Sequence, residues 1–161
     1  MEIFDLEKTI AAMQLEQMLV SYNRTTDFDN GATGPEFFVE DCVINVGAIL
    51  FKGHDGVRKY FSDRAEAMKK EKDGVRTARH TYANLQITFP EKDRATLKYL
   101  ILTYAASGKP PIMDNMTPAV IADATINARR VNGQWKFVEL TGSPVFIAST
   151  GPAQKAMLGK S

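Results

Sequence analysis

The sequence predicts an α+β fold, a cone-shaped roll in which a curved, mostly antiparallel sheet wraps around N-terminal helices. Three observations carry the prediction. Helical spacing of apolar residues is confined to the stretch before Gly74, extended runs fill the stretch after it, and an Asn132-Gly133 turn joins the last two of those runs. No internal repeat, low-complexity tract or linker divides the chain. A single domain over 1–161 is therefore expected, with its core at about 6–142 and residues 143–161 as a C-terminal tail or lid.

The elements follow in order. Ala11, Ala12, Leu15, Met18, Leu19 and Tyr22 recur on one face of a helix over 6–22. The turn residues Asp27-Phe28-Asp29-Asn30-Gly31 stop it, which puts Asp27 just past a helix end. Pro35 can open a short second helix through Phe37, Phe38 and Val39. Residues 42–51, rich in Val and Ile and broken by Gly47, read as a strand or short hairpin ending at Lys52-Gly53. In a third helix Val57, Tyr60, Phe61 and Ala65 form the apolar face, Asp63, Arg64, Glu66, Lys69 and Lys70 the wet one, and Gly74 the end.

Four sequential antiparallel strands are expected at 75–89, 95–106, 118–131 and 134–141. In the second, Leu97, Tyr99 and Ile101 alternate with Leu100, Leu102 and Tyr104, so both faces read as buried and the strand as central. Helices can cover only one of those faces. The other is expected to meet a second copy of the chain, giving a homodimer through the sheet. Residues 107–118, with Pro110, Pro111, Met113 and Met116, read as a long mobile loop, and 151–161 as a tail or short final helix; either is a candidate lid.

Composition narrows the partners. With 161 residues, 44% of them hydrophobic and 24% charged, the chain can bury a sizeable core, and a net charge of +1 gives no field to gather nucleic acid or a membrane surface. The expected partner is an apolar small molecule. Cys42 is the only cysteine, which excludes an intrachain disulfide, and the first twenty residues carry acidic side chains without a continuous apolar run. A cytoplasmic location is expected. His54 with Asp55 lacks the spacing of a metal site, so no metal is expected, and no cofactor motif is present. The run 69–79, with five Lys or Arg plus Glu71 and Asp73, reads as a solvated helix end and turn.

Four pieces of sequence carry a resemblance. They are Tyr22-Asn23-Arg24-Thr25-Thr26-Asp27, then Phe51-Lys52-Gly53-His54-Asp55-Gly56-Val57, then Arg79-His80-Thr81-Tyr82-Ala83-Asn84, and finally Asn132-Gly133-Gln134-Trp135-Lys136-Phe137. In that order they resemble the SnoaL-like branch of the nuclear transport factor 2-like superfamily, over about residues 11–141. Within it the chain is similar to scytalone dehydratase and the hexachlorocyclohexane dehydrochlorinases. The resemblance implies an Asp-His dyad at the mouth of the cone, with Asp27 and His80 in those positions.

The chemistry of such a pair is general-base catalysis. A neutral imidazole takes a proton near neutral pH while a carboxylate on its other nitrogen fixes the tautomer and stabilises the imidazolium. This implies a cofactor-independent lyase or isomerase, whether dehydratase, double-bond isomerase or cyclase, acting on an apolar carbonyl compound. Tyr22, Val43, Asn84, Ile101, Thr103, Val120 and Ala122 are the substrate-binding candidates that follow from the resemblance. The alternative is a non-catalytic ligand-binding or dimeric assembly module, with Asp27 and His80 bonded for stability. The sequence departs from scytalone dehydratase in having Thr26 before Asp27 and only His54 besides His80. Strict alternation adds a difficulty: it puts His80, Tyr82, Asn84 and Gln86 on one strand face and Leu85, Ile87 and Phe89 on the other. A bulge between Thr81 and Asn84 would let His80 share the inward face with the apolar set.

Overall fold

The computed structural model describes residues 4–113, 117–148 and 158. Helix α1 spans Leu6–Phe28 and helix α2 Gly53–Met68; six strands follow the chain as β1 Phe38–Val46, β2 Ile49–Lys52, β3 Arg76–Glu91, β4 Arg94–Ser107, β5 Val120–Val131 and β6 Gln134–Ile147. They form one curved, open sheet in the order β2-β1-β6-β5-β4-β3. Only the β1–β6 pair is parallel. The α+β roll is thus as expected. Of the three predicted helices, two are α-helical; the one opened by Pro35 is a single 3-10 turn, Gly34–Phe37, because Phe38 and Val39 already pair or pack as the start of β1.

Helix α1 starts where Asp5 accepts the Lys8 N–H at 2.8 Å, a side-chain cap for an otherwise unpaired donor. It runs six residues beyond Tyr22. Nothing between Asn23 and Phe28 breaks a helix, and the chain leaves it only at Asn30 and Gly31, whose φ of 57° and 73° are left-handed. The Asp29 and Gly31 N–H groups both close on the Thr25 carbonyl, at 3.1 and 2.8 Å. Asp27 accordingly lies inside the last turn, not past it. That turn is pinned from below by α2, since a Cβ on Gly31 or Gly34 would stand 2.0 or 2.3 Å from the Phe61 ring.

The sheet has two distinct faces. Leu97, Ile126 and Phe137, opposite or diagonal to one another on β4, β5 and β6, are fully buried beneath α1 and join Leu15, Leu19, Tyr22 and Val57 in the core. β4 has a neighbour on each side but is one strand in from the β3 edge, and its outward Leu100, Leu102 and Tyr104 are half-buried. β6 runs six residues further than its apolar pattern suggests. Residues 143–147, expected in the tail, pair with β5 as far as Val120 opposite Ile147. The loop expected at 107–118 and the tail at 151–161 fall partly or almost wholly outside the described residues.

Candidate functional site

At the end of α1 the Asp27 carboxylate is bound twice by one residue. Its Oδ1 accepts from the His80 ring Nδ1 at 2.5 Å, and its Oδ2 accepts from the His80 backbone N–H at 2.8 Å. Side-chain exposure is 5% for Asp27 and 16% for His80, so the pair is largely shielded from water. The two bonds fix both the position of the imidazole and its tautomer. With the proton on Nδ1 facing the carboxylate, Nε2 carries the lone pair, and no described residue bonds to it. Helix α1 and edge strand β3 bring the partners together across 53 residues of chain.

His80 reaches this position because β3 contains an extra residue. Ala83 pairs with Leu100 and Gln86 with Lys98, so Asn84 and Leu85 together face only Tyr99. Asn84 takes a φ of 55°, a left-handed conformation that asparagine adopts more readily than most residues. Before the bulge Ala78, His80 and Tyr82 point inward; after it Leu85, Ile87 and Phe89 do. The bulge thus lies one step later than the sequence suggests, and it resolves the alternation conflict.

Register then sorts the other site candidates. His80 is opposite Thr103, which is opposite Val120; Tyr82 is opposite Ile101, which is opposite Ala122. Directly paired antiparallel residues share a face, so Thr103, Val120, Ile101 and Ala122 all lie on the His80 side of the sheet. Val43 does not: it pairs with Lys52 and Glu139 on the outer face, and Ile44 takes the inward position beside Leu140. Asn84 is exposed and serves the backbone at the bulge. Tyr22 is buried edge-on against Phe37, Phe38 and Phe137, with centroids 5.7, 5.4 and 5.9 Å away.

Two approaches to the dyad are visible. A cleft of about 260 Å³ between α1 and β3 is lined by Val20, Asn23, Arg24, Asp27, Phe28 and the β3 residues Arg79 to Tyr82. Arg79 and Arg24 stack on Phe28, 4.1 and 5.0 Å from its ring centre. On the inward side Leu97 and Ile126 are fully buried, Ala78, Val120 and Ala122 are buried near His80, and Ile101, Thr103 and Ala105 are half-covered, so the cover thins towards His80 without baring the sheet there.

Tyr22 was a candidate from the sequence, but sequence reasoning missed Tyr99, Arg64 and Arg76, which add to the polarity of this mouth. Burial raises the proton affinity of the Tyr22 hydroxyl far above its ordinary value, with Tyr60, Tyr99 and Cys42 adding to the effect and Arg64 opposing it. Burial does the same for Tyr99. Arg64, read as part of a wet helix face, sends Nη2 to the Thr26 carbonyl at 3.4 Å. Arg76, read as part of a solvated run, has a side chain only 23% exposed and shares the inward parity of Ala78 and His80. That parity was the available signal. His54 is occupied elsewhere, its Nε2–H donating to the Phe38 carbonyl at 3.0 Å.

Residues 10–141 match the model of a family described as a SnoaL-like domain. No curated protein matches the chain. Among solved structures, a hexachlorocyclohexane dehydrochlorinase, LinA-type3, from Novosphingobium barchaimii is similar at 16% identity and a TM-score of 0.71, over 91% of this chain and 97% of that one. A candidate scytalone dehydratase from Novosphingobium aromaticivorans is similar at 18% identity and a TM-score of 0.67, over 87% of each chain. A protein of unknown function from Mycobacterium tuberculosis gives 17% identity and a TM-score of 0.74, over 95% of this chain and 87% of that one. At these identities the likeness is one of fold.

Proposed function

The chain belongs to the SnoaL-like domain family, and from that footing we propose that it is a cofactor-independent lyase or isomerase in which His80, held by Asp27, removes a proton from carbon next to a carbonyl group. The two-point contact between the Asp27 carboxylate and His80 is the observation that carries this reading. The backbone bond holds the carboxylate in place and the ring bond fixes the imidazole, which matters when the other nitrogen is to work on a ligand. Proton abstraction by a positioned base contributes about 10²- to 10⁴-fold, enough for a substrate whose C–H is already acidified by its carbonyl. Asp27 stabilises the imidazolium as it forms, and the proton returns to the rearranged product or leaves with a hydroxyl or halide. Ile101, Thr103, Val120 and Ala122 offer a mostly apolar wall beside His80, which suits an apolar carbonyl compound. Solved lyases of the same fold support the class of reaction without fixing the substrate.

The outward row of Leu102, Ile121 and Phe146, directly paired across three strands, supports the homodimer through the sheet. Phe146 is 66% exposed in the single chain.

The test is deuterium uptake from D₂O at the α-carbon of a hydrophobic ketone such as tetralone, followed by NMR for the parent and for His80→Gln. Uptake that depends on His80 supports the base. Equal rates in the two proteins sink the catalytic reading in favour of a ligand-binding or assembly module.

A further inference from the structure

Two partly buried guanidinium groups, those of Arg64 and Arg76, are weakly partnered on the inward side of the fold. Arg64 reaches from α2 to the carbonyl of Thr26, the residue next to Asp27, and makes no ion pair with a described residue. Its contact spends one of five N–H donors on the negative end of α1, and at 3.4 Å it is a long one. Arg76 approaches from β3 on the same face as His80. Its one carboxylate, Glu71, stands 3.7 Å away and also accepts the Ser107 hydroxyl at 2.5 Å. Glu71 pairs with Arg76, and the Asp27 carboxylate beside Thr26 is taken up by His80.

The groups are close enough to act on each other. Burial lowers the proton affinity of Arg76, Glu71 opposes the effect, and the positive charge of Arg64 adds to it. A weakly paired charge in a partly buried place is costly unless an anion joins it. Arg24 and Arg79 also lie near the dyad, but both are exposed and stacked on Phe28, so water serves them.

We propose that Arg64 and Arg76 form an anion subsite at the mouth of the roll, so that the molecule His80 acts on carries a carboxylate. Guanidinium groups suit a carboxylate because their planar N–H pairs match its two oxygens. The Cα atoms of Arg76 and His80 are four strand residues apart, about 13 Å. That span leaves room for a ring between the base and a carboxylate held at Arg76. The substrate class is then an aromatic or alicyclic keto acid or its elimination precursor, with an apolar body against Ile101, Thr103 and Ala122. Tyr60, whose ring lies against Phe51 and Phe61 at centroid distances of 5.1 and 5.0 Å, stands beside the same cations.

The inference rests on the proposed base, yet its test needs no turnover. Benzoate and benzamide have the same shape and differ in charge. Chemical-shift titration of the full chain is expected to show benzoate binding more tightly, with the preference weakening as salt rises. Arg64→Gln and Arg76→Gln should each reduce benzoate affinity about tenfold and leave benzamide unchanged. Should Arg76→Gln lose its fold with the Glu71 contact, Arg76→Lys keeps the charge and is expected to retain the benzoate preference at reduced strength. Equal binding of the two probes, binding of neither, or a preference that survives both Arg→Gln changes overturns the subsite. A preference abolished instead by Arg24→Gln or Arg79→Gln overturns it too. If the ketone loses His80-dependent deuterium uptake but benzoate selectivity stands, the base has failed and the anion site has not.

Discussion

Replacing Asp27 by asparagine should reverse the tautomer of His80 while leaving the fold in place. His80 presents two donors to the carboxylate, the backbone N–H at 2.8 Å and the ring Nδ1–H at 2.5 Å. An asparagine side chain offers one accepting oxygen and one donating NH₂. The backbone proton cannot move, so the oxygen must face it, and the NH₂ then meets Nδ1. The ring can relieve that clash by carrying its proton on Nε2, which blocks the lone pair the mechanism requires. Two charge-assisted bonds worth about 1.5–3 kcal/mol each are exchanged for neutral ones of about 0.5–1.5 kcal/mol each, a net loss of roughly 2–3 kcal/mol. In a chain of this size that lowers the melting temperature by roughly 4–12 °C. Deuterium uptake should fall about 10²- to 10⁴-fold, far more than the stability change explains. Nitrogen-15 NMR of the imidazole reads the tautomer directly. A folded Asp27→Asn protein that keeps uptake within a few-fold of the parent, or keeps the proton on Nδ1, refutes the reasoning.

Three further outcomes are expected. Asn84→Val should cost about 1–3 kcal/mol in a denaturant titration, because a β-branched residue resists the left-handed bulge, whereas Asn84→Gly should be neutral within several tenths of a kcal/mol; equal stability of the two variants would show that the bulge does not depend on that conformation. Tyr22 and Tyr99 stay protonated in the fold beyond the pH at which free tyrosine ionises, so their contribution is whole below about pH 10 and is lost above it, each costing about 1.4 kcal/mol per pH unit; a Tyr22→Phe, Tyr99→Phe protein should therefore lose stability less steeply over that range, and an unchanged slope would contradict the burial argument. Ile121→Lys, at the centre of the outward apolar row, should give a monomer in sedimentation where the parent gives a dimer, and a parent that sediments as a monomer refutes the dimer outright.

The fold was legible where one residue pattern served one purpose. The α1 stripe, the extended runs and the Asn132-Gly133 turn are local statements of burial or backbone geometry, and each sits where its chemistry requires. Boundaries were lost where tertiary contacts extend an element past its pattern. The last turn of α1 has no apolar stripe, yet the Phe61 ring beneath Gly31 and Gly34 and the closures on Thr25 hold it as helix. β6 continues to Ile147 because β5 is there to pair with it, which no periodicity within 143–147 announces.

The site was legible in its two central residues and illegible in its surroundings, and both facts have the same origin. Asp27 and His80 were found through the order of short motifs, which survives whatever the local geometry does. Placing a face, by contrast, requires counting residues in twos, and a single inserted residue reverses every assignment beyond it. Asn84 is that residue: upstream of it the inward set is Arg76, Ala78, His80 and Tyr82, and downstream it is Leu85, Ile87 and Phe89. Once the bulge is fixed, Arg76 moves from a solvated run to the inward face, while Arg64 is brought beside Thr26 by the packing of α2 under the end of α1. The same bulge that turns His80, the proposed base, inward therefore turns an arginine inward with it. On the proposed reading, a carboxylate-bearing substrate is what would use both from one side.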